Sequence, residues 1–536
     1  MIFILHFILL ALSLPLLGIL TGMKGQTSMT SKMCRGGLKD NWVCITALLV
    51  FSCFFVLVYS TSTSPLYPYP GTCDSFIFQL IGKEWLSGSI PYKDLYDNKG
   101  PLLYAMNALG YWLLSARAGI VIVQTVFFFA TALVTFWFLQ IGFSKKSSFW
   151  LTIVLLLGLS LGYNCGNNAS EYAMPLIVYA FYLFYKWLEQ DDQTKTNTSL
   201  GHHFIYGVAL GFCIMTRASN GLVVMMVVAY LFVYFLAKRQ FKLMLSNLAA
   251  MTVGVLLVCL PFVIYFWAKN SLEDFYYAVF TSNIHYLKNC GLWVSPMYLK
   301  RAIALICSYF NCLSFIIVGL LLIFRKNRRR MGLVWFAMSL LCVIFFVRTN
   351  CYPNYAHICL PFAVIGLLEL KNIIGDRRSN RLLHKLSMAV SLLIIGVNFF
   401  NGVYSLGKNA IYDDSPQRAL YKAYDSLLES VPEDGFRSFA NYGCLPEILL
   451  RWNIHPSYRF FALQEFSRNY NLNVYEKTID EFVHGEAQWI IVDYWIGLPT
   501  EISKTLEKRY VLQKSASEGE AMLMLYKKRS TGGEHD

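Results

Sequence analysis

Most of the chain alternates long apolar runs with short charged loops. Apolar runs lie at 2–22, 41–60, 101–115, 118–141 and 148–163, across 203–236, and at about 244–268, 299–324, 332–348, 356–372 and 386–406. A helix needs roughly 20 apolar residues to cross the hydrocarbon of a bilayer, and inside it the helix satisfies its own backbone groups. The pattern predicts a polytopic α-helical membrane protein with about 12 or 13 crossings. The first run has no basic stretch before it, as a signal peptide would, and reads as an anchor span. After Asn409 the pattern becomes polar and mixed, with no run long enough to span. Strand-like segments at 436–440, 458–462, 488–493, 509–513 and 521–526 alternate there with helix-like ones at 416–430, 445–451, 474–484 and 499–508, which predicts a small C-terminal α/β domain. The chain thus divides into an anchor span and loop (1–40), a membrane domain (41–410) whose first outer loop is 61–100, and a soluble domain (411–536).

Charge gives this arrangement an orientation. Lys24, Lys32, Arg35 and Lys39 place loop 23–40 in the cytoplasm by the excess of Lys and Arg on that side. Lys238, Arg239 and Lys242 do the same for 237–243, Arg325, Lys326, Arg328, Arg329 and Arg330 for 325–330, and Lys371, Arg377, Arg378, Arg381 and Lys385 for 371–385. The first loop with Asp74, the connections 269–298 and 348–356, and everything after 406 then fall outside. This places the candidate site and the C-terminal domain on the extracytoplasmic face of an inner, or plasma, membrane. One stretch stays open: if Lys145 and Lys146 are cytoplasmic, 101–141 crosses an odd number of times, so that 101–115 is a half-inserted helix or the pair lies outside.

Composition agrees and excludes a competing class. The 536 residues are 56% hydrophobic and 15% charged, against about a quarter charged in soluble domains. The net charge of +14 sits largely in loops that set orientation, so no nucleic-acid partner is expected. The 14 cysteines are scattered, without a CxxC pair or a Cys/His zinc spacing. No glycine fingerprint for a nucleotide is present.

The candidate chemistry lies in polar clusters between spans. Asp74 follows Pro70-Gly71; a carboxylate there could take a proton from an attacking hydroxyl or amine, or simply cap the helix that follows. Lys99 precedes Gly100-Pro101 and either approaches a lipid phosphate or snorkels at the interface. Glu171 is a second carboxylate or a first-turn residue of the next helix. Arg217 and Asn220 interrupt an apolar run, and Arg binds phosphate through paired hydrogen bonds. Arg348, Tyr352, Tyr355 and His357 form a late cluster that could meet a phosphate head group, or reflect ordinary interfacial aromatics. These clusters share the outer side. A transporter or flippase of a lipid-linked saccharide, the alternative reading, would carry more ionisable groups at mid-span.

In order along the chain, these motifs resemble the GT-C membrane glycosyltransferases, in particular the family-39 branch that includes protein O-mannosyltransferases and the aminoarabinose transferase of lipid A. The resemblance rests on the early Asp74, on Asp94-Leu95-Tyr96-Asp97-Asn98-Lys99-Gly100-Pro101-Leu102, on Glu171 followed by Pro175, on Tyr352 to Pro361 with His357 inside it, and on Leu445-Pro446-Glu447, Arg459-Phe460-Phe461 and Ile490-Ile491-Val492. It spans about residues 41–530. The chain departs from the pattern at Asp74-Ser75, where many relatives have Asp-Glu, at Lys99-Gly100-Pro101 in place of Lys-Pro-Pro, and at Glu171 in place of Asp. The resemblance implies inverting transfer of a sugar from a polyprenyl-phosphate donor to a lipid, glycan or protein acceptor. Asp74 would be the base, Glu171 the second acid, and Lys99, Arg217 and Arg348 the partners of the donor phosphate. Asp97, Tyr352, Tyr355 and His357 would contact substrate. No motif calls for a cofactor; a divalent cation is the one the family pattern allows.

Overall fold

The computed structural model describes residues 38–529 apart from 72, 164, 191–198, 291–294, 309–310, 326, 377–380, 411–413 and 495–496. The expected anchor span 2–22 lies outside the described residues. Long helices follow the apolar runs closely: α1 (Leu38–Tyr59), α2 (Ser75–Ser87), α3 (Pro101–Leu113), α4 (Ala118–Leu139), α5 (Lys145–Leu157), α6 (Ala169–Leu188), α7 (Leu200–Arg217), α8 (Leu222–Ala237), α9 (Phe241–Ala268), α10 (Met297–Ser308), α11 (Asn311–Ile323), α12 (Arg329–Val347), α13 (Leu360–Gly375) and α14 (Arg381–Ala410).

Among the described residues, eight helices are long and apolar enough to cross a membrane, or nine if the bent pair α10–α11 is one span. The expected 12 or 13 is higher for physical reasons. Run 101–115 forms a helix of 13 residues, about 20 Å long and too short for a hydrocarbon core of about 30 Å. The run Leu200–Ala237 counts as one 38-residue span, but the chain folds back within it. Arg217 is extended, with φ −155° and ψ 109°, and a Cβ on Gly221 would lie 3.3 Å from Cys213 Cβ, an approach that a straight helix cannot make across eight residues. The turn expected at Arg217 and Asn220 is therefore present. Lys371 Nζ stands 5.0 Å from the centroid of the Phe143 ring, so within the first unit the turn before Lys145 and Lys146 lies beside the start of the basic loop 371–385.

The described chain forms two compact units. The first comprises Ile120–Val263, Gly291–Ala410 and the chain up to Ser64. Its helices approach through glycine: a Cβ on Gly207 of α7 would fall 2.0 Å from Met251 O of α9, and one on Gly332 of α12 would fall 2.7 Å from Gly319 O of α11. With lipid outside, helices gain little from hydrophobicity alone, and close backbone contact supplies the attraction instead.

The second unit comprises Pro65–Gly119, Ile264–Cys290 and Ile411–Asp536. The first outer loop thus groups with the C-terminal residues rather than with the spans that flank it in sequence. Its sheet is β1 (Phe439–Tyr442), β2 (Trp489–Asp493), β3 (Tyr510–Glu518) and β4 (Ala521–Lys528), in the order β1-β2-β4-β3. β1 and β2 are parallel; β4 runs antiparallel to β2 and β3. Both faces of β1 and β2 are buried, which suits the apolar run Trp489–Val492 of β2. The expected strand 458–462 is a loop. Its polar backbone is used elsewhere: Asn441 Nδ2 donates to Phe461 O at 2.7 Å, and Tyr96 N to Arg459 O at 2.9 Å. The second of these ties the first outer loop to the α/β unit. The pair His455–Glu84 at 2.7 Å does the same, and Arg459–Asp274 at 2.9 Å ties in the segment 264–290.

Candidate functional site

Asp74, Asp97 and Lys99 all belong to the second unit. Gly88, in the left-handed region at φ 115°, ends α2, and the chain then doubles back through a turn in which Tyr92 has φ 69°. That turn is held by Ile90 N donating to Asp94 Oδ2 at 2.7 Å and Tyr92 N to Leu95 O at 2.8 Å. Gly100 precedes α3 in an extended conformation and Pro101 occupies its first turn, where a missing N–H leaves nothing unpaired. A Cβ on Gly82 of α2 would sit 2.7 Å from Ala108 N of α3, so the two short helices touch backbone to backbone and fix the two ends of the loop.

Asp74 stands at the N-cap of α2, but its side chain makes no cap hydrogen bond, and it is exposed. Capping therefore does not consume the carboxylate. Asp97 is 1% exposed. Its Oδ2 accepts from Tyr104 Oη at 2.8 Å. Burial pushes its carboxyl above the ordinary range; the Lys99 charge and the Tyr104 hydroxyl pull it back, while Asp74 adds to the rise. The three charged groups thus share one electrostatic neighbourhood. Lys99 is half-buried, donates to Asn98 Oδ1 at 2.7 Å and stands 5.9 Å from the Phe78 centroid. Its carbonyl accepts from Tyr92 Oη at 2.7 Å and Tyr104 Oη at 3.2 Å, so two buried tyrosines hold the lysine's backbone in place. An exposed carboxylate can accept a proton and an ammonium can neutralise an anion, and here both groups act on the same buried Asp97.

Glu171, Arg217, Arg348, Tyr352, Tyr355 and His357 belong to the first unit. Glu171 opens α6 and has both oxygens engaged. Oε1 accepts from Asn168 N at 2.7 Å, the reach-back bond of a capping box. Oε2 accepts from Tyr163 Oη at 2.7 Å and Gln124 Nε2 at 2.8 Å. Gln124 in turn accepts from Thr63 Oγ1 at 2.6 Å. The turn before α6 has positive φ at Cys165, Gly166 and Asn167, and a Cβ on Gly166 would lie 2.0 Å from Ser60 Oγ.

His357 joins the same end of the unit. Its Nε2 lies 3.0 Å from Leu159 O and its Nδ1 3.2 Å from Ser170 Oγ. A carbonyl only accepts, so Nε2 carries the proton and, in the neutral ring, Nδ1 accepts from Ser170. Asn354 Nδ2 donates to Asn168 Oδ1 at 3.0 Å, and the Arg217 guanidinium carbon stands 4.1 Å over the Tyr355 ring. Tyr352 and Tyr355 meet edge to face at 5.7 Å. Within this unit, Glu171, His357, Tyr355, Tyr352 and Arg217 are thus linked through direct contacts and immediate sequence neighbours. Arg348 ends α12 and is exposed.

Sequence reasoning missed the residues that hold these groups. Gln124 had a visible signal, as a lone amide in an apolar run. Tyr163 and Tyr104 had none, because tyrosine is abundant here, with 34 in the chain. Among the described residues, no group of three or more His, Cys, Asp or Glu side chains is placed to hold a metal ion, so no residue set here is assigned to the divalent cation that the family pattern allows.

Residues 39–407 match the family model of the putative competence-induced protein Ccs4 N-terminal domain. No curated protein matches the chain in sequence. Among solved structures, ArnT from Cupriavidus metallidurans bound to undecaprenyl phosphate is similar with a TM-score of 0.55 and 13% identity, over 93% of this chain and 100% of that one. The oligosaccharyltransferase of Archaeoglobus fulgidus in its apo form gives a TM-score of 0.47 and 11% identity, over 92% of this chain and 75% of that one. The chain shares the polytopic helical fold of that ArnT structure and carries a small C-terminal sheet.

Proposed function

The chain belongs to the family of the putative competence-induced protein Ccs4 N-terminal domain, a description that names no chemistry, and from the fold and the first-loop side chains we propose that it is a membrane glycosyltransferase. Its donor is a sugar on a polyprenyl phosphate; the ArnT structure of the same fold holds undecaprenyl phosphate. The acceptor is a lipid, glycan or protein at the outer face of the inner membrane, the side to which the basic loops assign the first loop.

The proposed step is a single displacement. An acceptor hydroxyl or amine gives its proton to the Asp74 carboxylate as its oxygen or nitrogen attacks the anomeric carbon. The bond from that carbon to the phosphate oxygen breaks, the electron pair leaves with the phosphate, and the configuration inverts. Lys99 places positive charge beside the departing phosphate, where stabilisation counts most as charge develops. Asp97, held by Tyr104, fixes the loop that carries Lys99. The observation that carries the reading is the pairing of an exposed carboxylate unused by its helix, Asp74, with a backbone-anchored lysine in the same loop.

Release of the carrier tests it. Purified full-length protein in proteoliposomes is offered a panel of undecaprenyl-phosphate sugars together with an envelope extract as acceptor, and free undecaprenyl phosphate is measured by mass spectrometry. The expected result is release from at least one donor that needs both protein and extract. No release from any donor would remove the reading.

A further inference from the structure

A cleft lies on the basic face of the first unit, lined by residues that the proposed transfer does not use. It measures about 510 Å³ and is formed by the turn and first residues of α5 and by residues of α13 and α14. Its walls are apolar and aromatic, with Phe143, Trp150, Leu367 and Ile395 among them, and Lys146 and Lys371 stand at its edge. Both lysines are exposed, and neither is ion-paired among the described residues. No residue lining the cleft is acidic. Trp150 is 56% exposed, an open aromatic surface at the end of a membrane helix.

We propose that this cleft binds one anionic phospholipid of the leaflet on the basic face. The phosphate sits between the Lys146 and Lys371 ammonium groups, and an acyl chain lies along Trp150, Leu367 and Ile395. Three features favour that occupant over a soluble anion. The cleft pairs an apolar groove of a size that holds a chain segment with two lysines and no acidic lining residue. Its lysines belong to loops that the sequence places at the membrane surface, where each Lys near an anionic leaflet adds attraction. The same lysines can extend their methylene stems along the groove while keeping the charge at head-group depth. Zwitterionic lipid would fill the groove but leave both ammonium groups without a net counter-charge.

Fluorescence quenching tests this in the full chain. Wild-type protein and Trp150→Phe are placed in nanodiscs of phosphatidylcholine doped with dibrominated phosphatidylglycerol or dibrominated phosphatidylcholine, and the Trp150 signal is taken as the difference. Half-quenching is expected at a roughly thirty-fold lower mole fraction of the anionic lipid, the scale that two surface lysines supply. Lys146→Gln with Lys371→Gln should bring the two curves together. Ser391→Phe, which fills the cleft from α14 without changing charge, should abolish quenching by both lipids at low mole fraction. Coincident curves in the wild type, a preference that survives the double substitution, or quenching untouched by Ser391→Phe would overturn the proposal. Relief of quenching by millimolar inorganic phosphate would also overturn it, in favour of a soluble-anion site.

Discussion

Asp97 shows how one side chain carries both a structural cost and a functional promise. Burial lifts its carboxyl above the ordinary carboxylate range, and Lys99 and Tyr104 only partly offset this. The sign of the stability effect follows. As pH rises, the unfolded chain releases this proton first, so the folded state loses stability through the window between the ordinary carboxylate pKa and the raised one. Asp97→Asn keeps the acceptor for Tyr104 and removes the titration. Thermal unfolding in detergent should show the variant at least as stable as wild type at pH 7 to 8, with the difference vanishing below about pH 4. At this scale the sequence spoke unevenly. Asp74 and Lys99 were legible because a turn signal and a helix-opening proline mark their places. That Glu171 would meet Tyr163, Gln124 and Asn168 was not legible, since those partners arrive from other segments of the chain.

At the scale of elements, glycines at crossings decide which helices can meet. Gly82 lets α2 and α3 touch, and a Cβ there would strike the backbone at Ala108 and Tyr104 rather than a movable side-chain tip. Gly82→Ala should destabilise the protein by about 1–3 kcal/mol, read as a lower midpoint in guanidinium titration of the purified protein. It should also loosen the loop between the two helices, seen as faster amide exchange over 90–99. Hydrophobic runs fixed the helices well, because a span must be long and apolar. They left 101–115 open between a crossing and a half-inserted helix, and its 13-residue helix is too short to cross; the turn they predicted at Arg217 and Asn220 is the four-residue turn Ala218–Gly221. The strand expected at 458–462 failed for a different reason. Its alternating aromatics are buried as a strand's would be, but its backbone serves side chains and the first outer loop.

Over the whole molecule, charge placement and long-range contact carry different information. The basic loops set orientation by a rule written in the sequence, whereas the grouping of 65–119 with 264–290 and 411–536 depends on contacts between segments far apart in the chain. The first claim extends to Lys145 and Lys146, which share a face with Lys371. Single cysteines replacing Lys146, Lys238, Arg329 and Lys371 in an otherwise cysteine-free protein should all react with an impermeant maleimide only from the cytoplasmic side of oriented vesicles. Labelling of position 146 from the opposite side would require a second crossing between Lys99 and Lys145.

The account as a whole turns on the use of the Asp74 carboxylate as a base, and the most direct measurement is sugar transfer by Asp74→Asn. The substitution is exposed and breaks no hydrogen bond to α2, so the melting temperature should match wild type. Transfer should fall by at least about 100-fold, the lower end of what a positioned general base contributes. A folded Asp74→Asn protein that transfers sugar within a few-fold of wild type would contradict it.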